Sequence, residues 1–168
     1  MKWSNALIAA AGLLLATSAT QAKQVMCVFD LVGKNGDVFT LMKDYQLAAK
    51  NWGADLELKV NSNESVIAED FKAGKCDAVS ITGMRGRQFN SFTGSLDAIG
   101  AIPDLNLAVK VMQGLANPNF AKYMTSGKYE VVGVIPVGDA FLMVNDRNIN
   151  TVAKAAGKKI AVLDYDQA

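Results

Sequence analysis

Two arginines in a glycine-rich stretch are the residues of this sequence best suited to holding an anion. Arg85 and Arg87 lie within residues 82–100, a stretch that contains four glycines. A guanidinium group binds a carboxylate through two parallel hydrogen bonds, so either arginine could hold a carboxylate-bearing ligand. Solvated arginines in a glycine-rich loop are the alternative interpretation, and the pattern leaves both open.

A second candidate is the turn formed by Lys34, Asn35 and Gly36, followed by Asp37. A lysine beside the free amides of a helix N-terminus could face a phosphate or a carboxylate. The glycine spacing matches neither a P-loop nor a dinucleotide-binding fingerprint. A plain turn, with Asp37 capping the helix that follows, explains the same residues.

Residues for catalysis are missing from the sequence. The chain contains no histidine, which removes the commonest general base and the commonest metal ligand. No two aspartates have a diagnostic spacing, and no nucleophile stands beside a base. A secreted hydrolase is disfavoured because the G-x-S-x-G motif is absent as well. The sequence therefore predicts no enzyme, no cofactor and no metal site.

Residues 1–22 have the composition of a cleavable secretory signal. Lys2 supplies the basic start, residues 6–15 supply an apolar core, and a small-residue stretch ends at Ala22. The apolar core is too short to span a bilayer. We therefore expect a mature chain that begins near Lys23 in an oxidising compartment, the periplasm.

The two cysteines, Cys27 and Cys76, are predicted to form a disulfide because the chain is expected to be secreted. They lie early in the first and third predicted strands, which are neighbours in the common doubly wound strand order. Their Cα atoms would then approach to about 6 Å, as a disulfide requires. Two separate buried thiols are the alternative.

The net charge argues against nucleic acid and anionic membranes as partners. The chain has 17 basic and 16 acidic residues, and removing Lys2 with the signal leaves 16 of each. Both partners favour a basic excess, which is absent. No apolar segment after the signal approaches the length of a membrane span.

The mature sequence begins with alternating strands and helices. The predicted elements, in order, are a buried strand at 24–31, an amphipathic helix from Asp37 to Trp52, a strand at 56–60, a helix from an Asn61–Glu64 capping box to Gly74, and a strand at 76–81. Connections of this length favour parallel strands with right-handed crossovers. The predicted fold class is α/β with a doubly wound sheet.

The remaining sequence is less regular. The predicted elements are a loop with a short helix at 82–100, a helix capped by Asp104, a helix starting at Asn117, strands at 129–137 and 140–144, a short helix at 151–156 and a strand at 158–163. The last strand opens a new αβ unit close to Ala168.

Two segments in this order resemble a known family. Residues 73–78 (AGKCDA) lead into the third strand, and residues 156–162 (AGKKIAV) open the last unit. With the secreted α/β pattern, the chain resembles a type II periplasmic solute-binding protein of the TRAP-receptor-like branch. More specifically, it is similar to a solute-binding family often labelled as an RND-type efflux pump component. The resemblance implies a signal at 1–22, a first lobe at 23–144 and the truncated start of a second lobe at 145–168.

The resemblance also implies where a ligand would bind. In such receptors, loops at the carboxyl ends of strands and at the interlobe crossover close around one small solute. The corresponding positions in this sequence are Gly33, Lys34, Asn35, Thr82, Gly83, Met84, Arg85, Arg87, Asp139 and Phe141.

The resemblance implies a periplasmic protein that captures a small polar or anionic solute for an inner-membrane transporter. A chain with one lobe missing is expected to bind its solute weakly or not at all on its own. The alternative function is an accessory component of an RND-type efflux system that acts by contact with efflux subunits.

Overall fold

The computed structural model describes residues 23–98, 100–138, 143–159 and 161. The predicted signal at 1–22 and two predicted ligand residues, Asp139 and Phe141, lie outside this part of the chain. Among the described residues, no helix combines the length and the apolar character that crossing a bilayer requires.

A three-stranded parallel sheet forms the centre of the fold. Its strands are β1 (Gln24–Phe29), β2 (Leu56–Asn61) and β3 (Ala78–Ser80), arranged in the order β2-β1-β3. Cys27 on β1 pairs with Lys59 on β2 and with Val79 on β3. The predicted α/β class and the predicted adjacency of the first and third strands are confirmed.

Two helices connect these strands, α1 (Asp37–Lys50) and α2 (Glu64–Lys72). The chain moves from β1 outward to β2 and then back past β1 to β3. Right-handed crossovers in opposite directions place α1 and α2 on opposite faces of the sheet. The amide side chain of Gln46 on α1 donates a hydrogen bond of 2.6 Å to the carbonyl of Leu56 at the start of β2.

Shorter elements follow the sheet. They are α3 (Gly83–Gly86), α4 (Ser91–Leu96), α5 (Leu105–Leu115), α6 (Ala121–Met124), a hairpin of β4 (Thr125–Ser126) and β5 (Tyr129–Glu130), and α7 (Val152–Ala155). Two 3₁₀ turns, Gly33–Asn35 and Pro118–Phe120, complete the described structure. Asp104 caps α5 as predicted, since its carboxylate accepts the amide hydrogen of Leu107 at 2.9 Å.

The predicted disulfide is present. Cys27 and Cys76 are bonded, and their Cα atoms are 5.8 Å apart. Both are buried together with Ile67 of α2, which makes the disulfide part of the hydrophobic core between this helix and the sheet. The bond therefore joins β1 to the segment that enters β3, on the face that α2 covers.

The apolar face predicted for the first helix is only partly buried. Met42 of α1 is buried, but Leu41, Tyr45 and Trp52 are exposed, Trp52 to 89%. The hydrophobic residues of α1 therefore occupy a wider arc of the helix surface than the arc that packs against the sheet. An amphipathic helix is expected to bury its apolar face in the core, and that expectation is wrong for Tyr45 and Trp52.

The strand predicted at 129–137 is wrong beyond Glu130. Residues 131–138 are all described and form no strand, and Val132 is 82% exposed. An apolar, β-branched run becomes a strand only where another strand offers backbone partners, and here pairing stops at the β4–β5 hairpin. Most of the strand predicted at 140–144 lies outside the described residues. So does half of that at 158–163, where Lys158, Lys159 and Ala161 are not in a strand.

A glycine near the end of α5 gives a simple test of this fold. A Cβ added at Gly114 would meet nothing within 4 Å. We expect Gly114→Ala to raise the free energy of unfolding by about 0.5 kcal/mol, because glycine loses more backbone entropy in a helix than alanine does. Gly127→Ala is the control. Gly127 has a φ of +56°, so Gly127→Ala should lower the free energy of unfolding in the same denaturation assay. A higher free energy of unfolding in both variants would contradict the structure.

Candidate functional site

The carboxyl ends of the three parallel strands lie at one edge of the sheet. We call the residues that follow them, 30–36 after β1, 61–64 at the end of β2 and 81–87 after β3, the carboxyl edge. In open α/β sheets, ligands bind outside this end of the strands. Of the predicted ligand residues that are described, Gly33, Lys34 and Asn35 lie in the first segment, and Thr82, Gly83, Met84, Arg85 and Arg87 lie in the third.

A buried glutamate joins two segments of the carboxyl edge. Glu64, in the first turn of α2, is only 4% exposed. Its Oε1 accepts the amide hydrogen of Thr82 at 2.6 Å, and its Oε2 lies 3.5 Å from Nε of Arg85. The side chain of Arg85 is 15% exposed, so the ion pair is largely removed from water. Glu64 thereby fixes both the loop after β3 and the position of Arg85.

A buried aspartate organises the segment after β1. The carboxylate of Asp30 accepts amide hydrogens from Val32 at 2.9 Å and from Phe39 at 3.0 Å. Phe39 lies in the first turn of α1, so Asp30 supplies the cap that the sequence assigned to Asp37. Asp37 is instead the first helical residue, and Gly36 is the N-cap without a side chain of its own.

The helices that begin after β2 and β3 are capped by their own side chains. The side chain of Asn63 accepts amide hydrogens from Ser65 and Val66, so the predicted capping role of Asn61 is wrong. Asn61 is still part of β2, and its side-chain oxygen accepts the amide hydrogen of Asn63 at 2.8 Å. At α3, the Thr82 hydroxyl accepts the amide hydrogen of Arg85 at 3.2 Å.

The predicted residues flank β1 on two sides. The turn at 33–35 contacts β2, whereas residues 83–86 form α3 beside α2 and after β3. Lys34 is exposed, and Arg87 is the C-cap of α3. The described ligand residues therefore lie on either side of β1, and all of them belong to the carboxyl edge.

Sequence reasoning missed two polar and two apolar contributors to this edge. Asp30 and Glu64 act through contacts across nine and eighteen positions of sequence, for which no local pattern exists. Leu31 and Val32 follow β1 with exposures of 70% and 68%. The signal available in the sequence for Leu31 and Val32 was two large apolar residues directly before a glycine-rich turn, which the structure leaves exposed.

Comparisons with known proteins agree on one family. The family described as Solute-binding protein AdeT 1/2 matches residues 46–168. The "Probable solute-binding protein AdeT1" of Acinetobacter baumannii is 57% identical over 141 residues, which are 84% of this chain and 46% of that protein. The "Probable solute-binding protein AdeT2" of the same organism is 39% identical over 70 residues, 42% of this chain and 29% of that protein.

The chain thus spans about half the length of the first of these curated relatives and less of the second. No solved structure matches it significantly. The family match covers most of the sequence, including α2, β3 and the Glu64–Arg85 pair. This chain belongs to the Solute-binding protein AdeT 1/2 family.

Proposed function

We propose that this protein captures a small polar solute in the periplasm and presents it to an inner-membrane transporter. The names of its two relatives support the solute-binding role. In this proposal, residues 23–144 form the first lobe of a type II, TRAP-receptor-like protein, and residues 145–168 begin the second. The signal at 1–22 would direct the chain across the inner membrane. The role is binding and requires no catalysis.

The observation that carries the proposal is the contact of Glu64 with Thr82 and Arg85. Burying a charged glutamate and a charged arginine is costly unless the two are paired. Here Glu64 pairs with Arg85 and also accepts the Thr82 amide hydrogen, which fixes the loop after β3. Such an arrangement holds hydrogen-bond donors in place before a ligand arrives, which reduces the ordering cost of binding. The proposed solute contacts are those of the carboxyl edge, with Asp139 and Phe141 added from the proposed crossover.

Arg85→Lys tests the proposal. Lysine keeps a positive charge beside Glu64 but lacks the planar, multiply donating guanidinium group. We expect the dissociation constant of the solute to rise about tenfold or more, the cost of one or two hydrogen bonds to a charged group. The measurement is calorimetric titration of the protein produced by its native host, with the solute identified by mass spectrometry of the denatured sample.

The matched control is Arg147→Lys, the same change at an exposed arginine that belongs to none of the carboxyl-edge segments. It should leave the dissociation constant unchanged. Equal affinities of the Arg85 and Arg147 variants would show that Arg85 does not contact the solute. If no solute is recovered and efflux subunits copurify with the protein, the accessory role in an RND-type system would replace this proposal.

A further inference from the structure

We infer that the solute carries no net negative charge. This inference rests on the proposed function and narrows the solute class at the same site. The sequence suggested polar or anionic solutes, with anions held by arginine or by helix N-termini. At the carboxyl edge, the Arg85 guanidinium lies beside the Glu64 carboxylate, and amides at the helix N-termini donate to side chains of the protein itself.

The charge of Arg85 is balanced within the protein. Glu64 is nearly completely buried, and its Oε2 lies 3.5 Å from Nε of Arg85. In the low-dielectric interior this neighbouring carboxylate offsets much of the attraction that a second anion would feel. An anionic solute would also lie near the negative charge of Glu64. Arg85 can still donate hydrogen bonds to neutral oxygen atoms, which do not require an excess of positive charge.

The N-terminus of α1 is balanced in the same way. A helix N-terminus carries a partial positive charge on its free amides and therefore attracts anions. Here the Asp30 carboxylate already occupies that position, accepting the amide hydrogens of Phe39 and Val32. Asp30 is 5% exposed, so solvent does not displace it. A solute anion would have to compete with a carboxylate that is fixed in the fold.

The two following helices offer no better anion site. At α2, Asn63 accepts two amide hydrogens and Glu64 adds a negative charge in the first turn. At α3, the Thr82 side chain accepts one amide hydrogen, and the Asp97 carboxylate accepts that of Met84 at 3.0 Å. Two first-turn amides of each of these helices, Ser65 and Val66 at α2 and Met84 and Arg85 at α3, are therefore engaged by side chains of the protein.

The remaining features of the edge favour the same solute class. Lys34 is exposed, and an exposed ammonium in water attracts an anion only weakly. The aliphatic part of Arg87 packs over Gly94 of α4. Leu31 and Val32 present apolar surface in the same segment as Lys34, which raises the cost of removing water from a charged carboxylate. A neutral polar solute avoids that cost, and neither a neutral solute nor a cation is repelled by Asp30 and Glu64.

The first experiment identifies the charge of the bound solute. The protein, isolated from its native host, is denatured, and the released small molecule is identified by mass spectrometry and titrated back. A neutral or cationic solute supports the inference. A solute with net negative charge overturns it while leaving the proposed function intact. Because a weakly bound solute is lost during isolation, candidate solutes are also titrated at about millimolar concentration. If none of them binds, the proposed function fails, and the inference fails with it.

The second experiment removes the balancing charge. Glu64→Gln keeps an acceptor for the Thr82 amide but leaves Arg85 without its carboxylate. We expect sulfate to bind this variant about tenfold more tightly than the native protein, measured by the rise in unfolding temperature at constant ionic strength. If this variant does not fold, Asp30→Asn provides the same comparison at α1. If sulfate raises the unfolding temperature of the variant no more than that of the native protein, the inference is contradicted.

Discussion

Replacing both Cys27 and Cys76 by alanine will lower the free energy of unfolding by about 4 kcal/mol. The two residues are 49 positions apart, and a cross-link over that distance removes much of the conformational entropy of the unfolded chain. Both side chains also belong to the core cluster with Ile67, so the substitution removes packing as well. The measurement is urea denaturation of the mature protein without reductant.

Reductant provides the control for this prediction. Adding it should destabilise the native protein to roughly the level of the double variant and leave the variant unchanged. A native protein whose denaturation midpoint does not move on reduction, with reduction verified by thiol titration, would show that the disulfide contributes little. A loss confined to the variant would assign the effect to packing of the two side chains.

Gly36→Ala will destabilise the protein by about 3 kcal/mol or more. A methyl group at this position would overlap the carboxylate of Asp30. Gly36 is buried at the N-terminus of α1, so neither group can move into solvent. The carboxylate would have to leave the amides of Val32 and Phe39, which removes two charge-assisted hydrogen bonds. Denaturant titration of the variant measures this loss.

A double-mutant cycle distinguishes this overlap from a general intolerance of alanine. In an Asp30→Ala background, the clash is gone, and Gly36→Ala should cost much less than it does alone. Additive effects of the two changes would show that the two residues do not interact. Because Gly114→Ala is expected to stabilise, the sign of the effect also separates position 36 from an ordinary glycine.

Local patterns predicted the first half of the fold well. An apolar run located β1, helical periodicity located α1 and alternating residues located β2, each within a few positions. The adjacency of the first and third strands followed from the common doubly wound strand order. The cysteine pairing followed from that order. These features depend on neighbours in sequence, or on rules of connection that hold for most α/β proteins.

The errors occurred where burial depends on distant partners. The apolar stripe of α1 indicated a helix, but the sheet beneath it covers Met42 and leaves Tyr45 and Trp52 exposed. Residues 131–137 have the composition of a strand, yet pairing ends at Glu130. Composition indicates which residues are able to pack or to pair in a strand. Whether they do so depends on a neighbouring element that the local sequence does not specify.

Sequence analysis predicted where the candidate site residues lie in the fold, but not the contacts they make. The rule that ligands lie at the carboxyl ends of strands selected Lys34 and Arg85, and the structure places both in the segments that follow β1 and β3. Asp30 and Glu64 belong to the same edge, but the sequence pattern assigns no role to Asp30 and only a helix-capping role to Glu64. Their partners are a helix amide, a loop amide and a guanidinium, contacts that form only once the chain has folded.

The disulfide has a consequence for limited proteolysis. The turn at 51–55, which contains the exposed Trp52 and joins α1 to β2, lies between the two cysteines. A protease that cuts in this turn produces two peptides that remain joined by one covalent bond. The nicked protein would keep its apparent size on a gel without reductant, and fragments would separate only after reduction. Protease resistance judged from such a gel would therefore be overestimated.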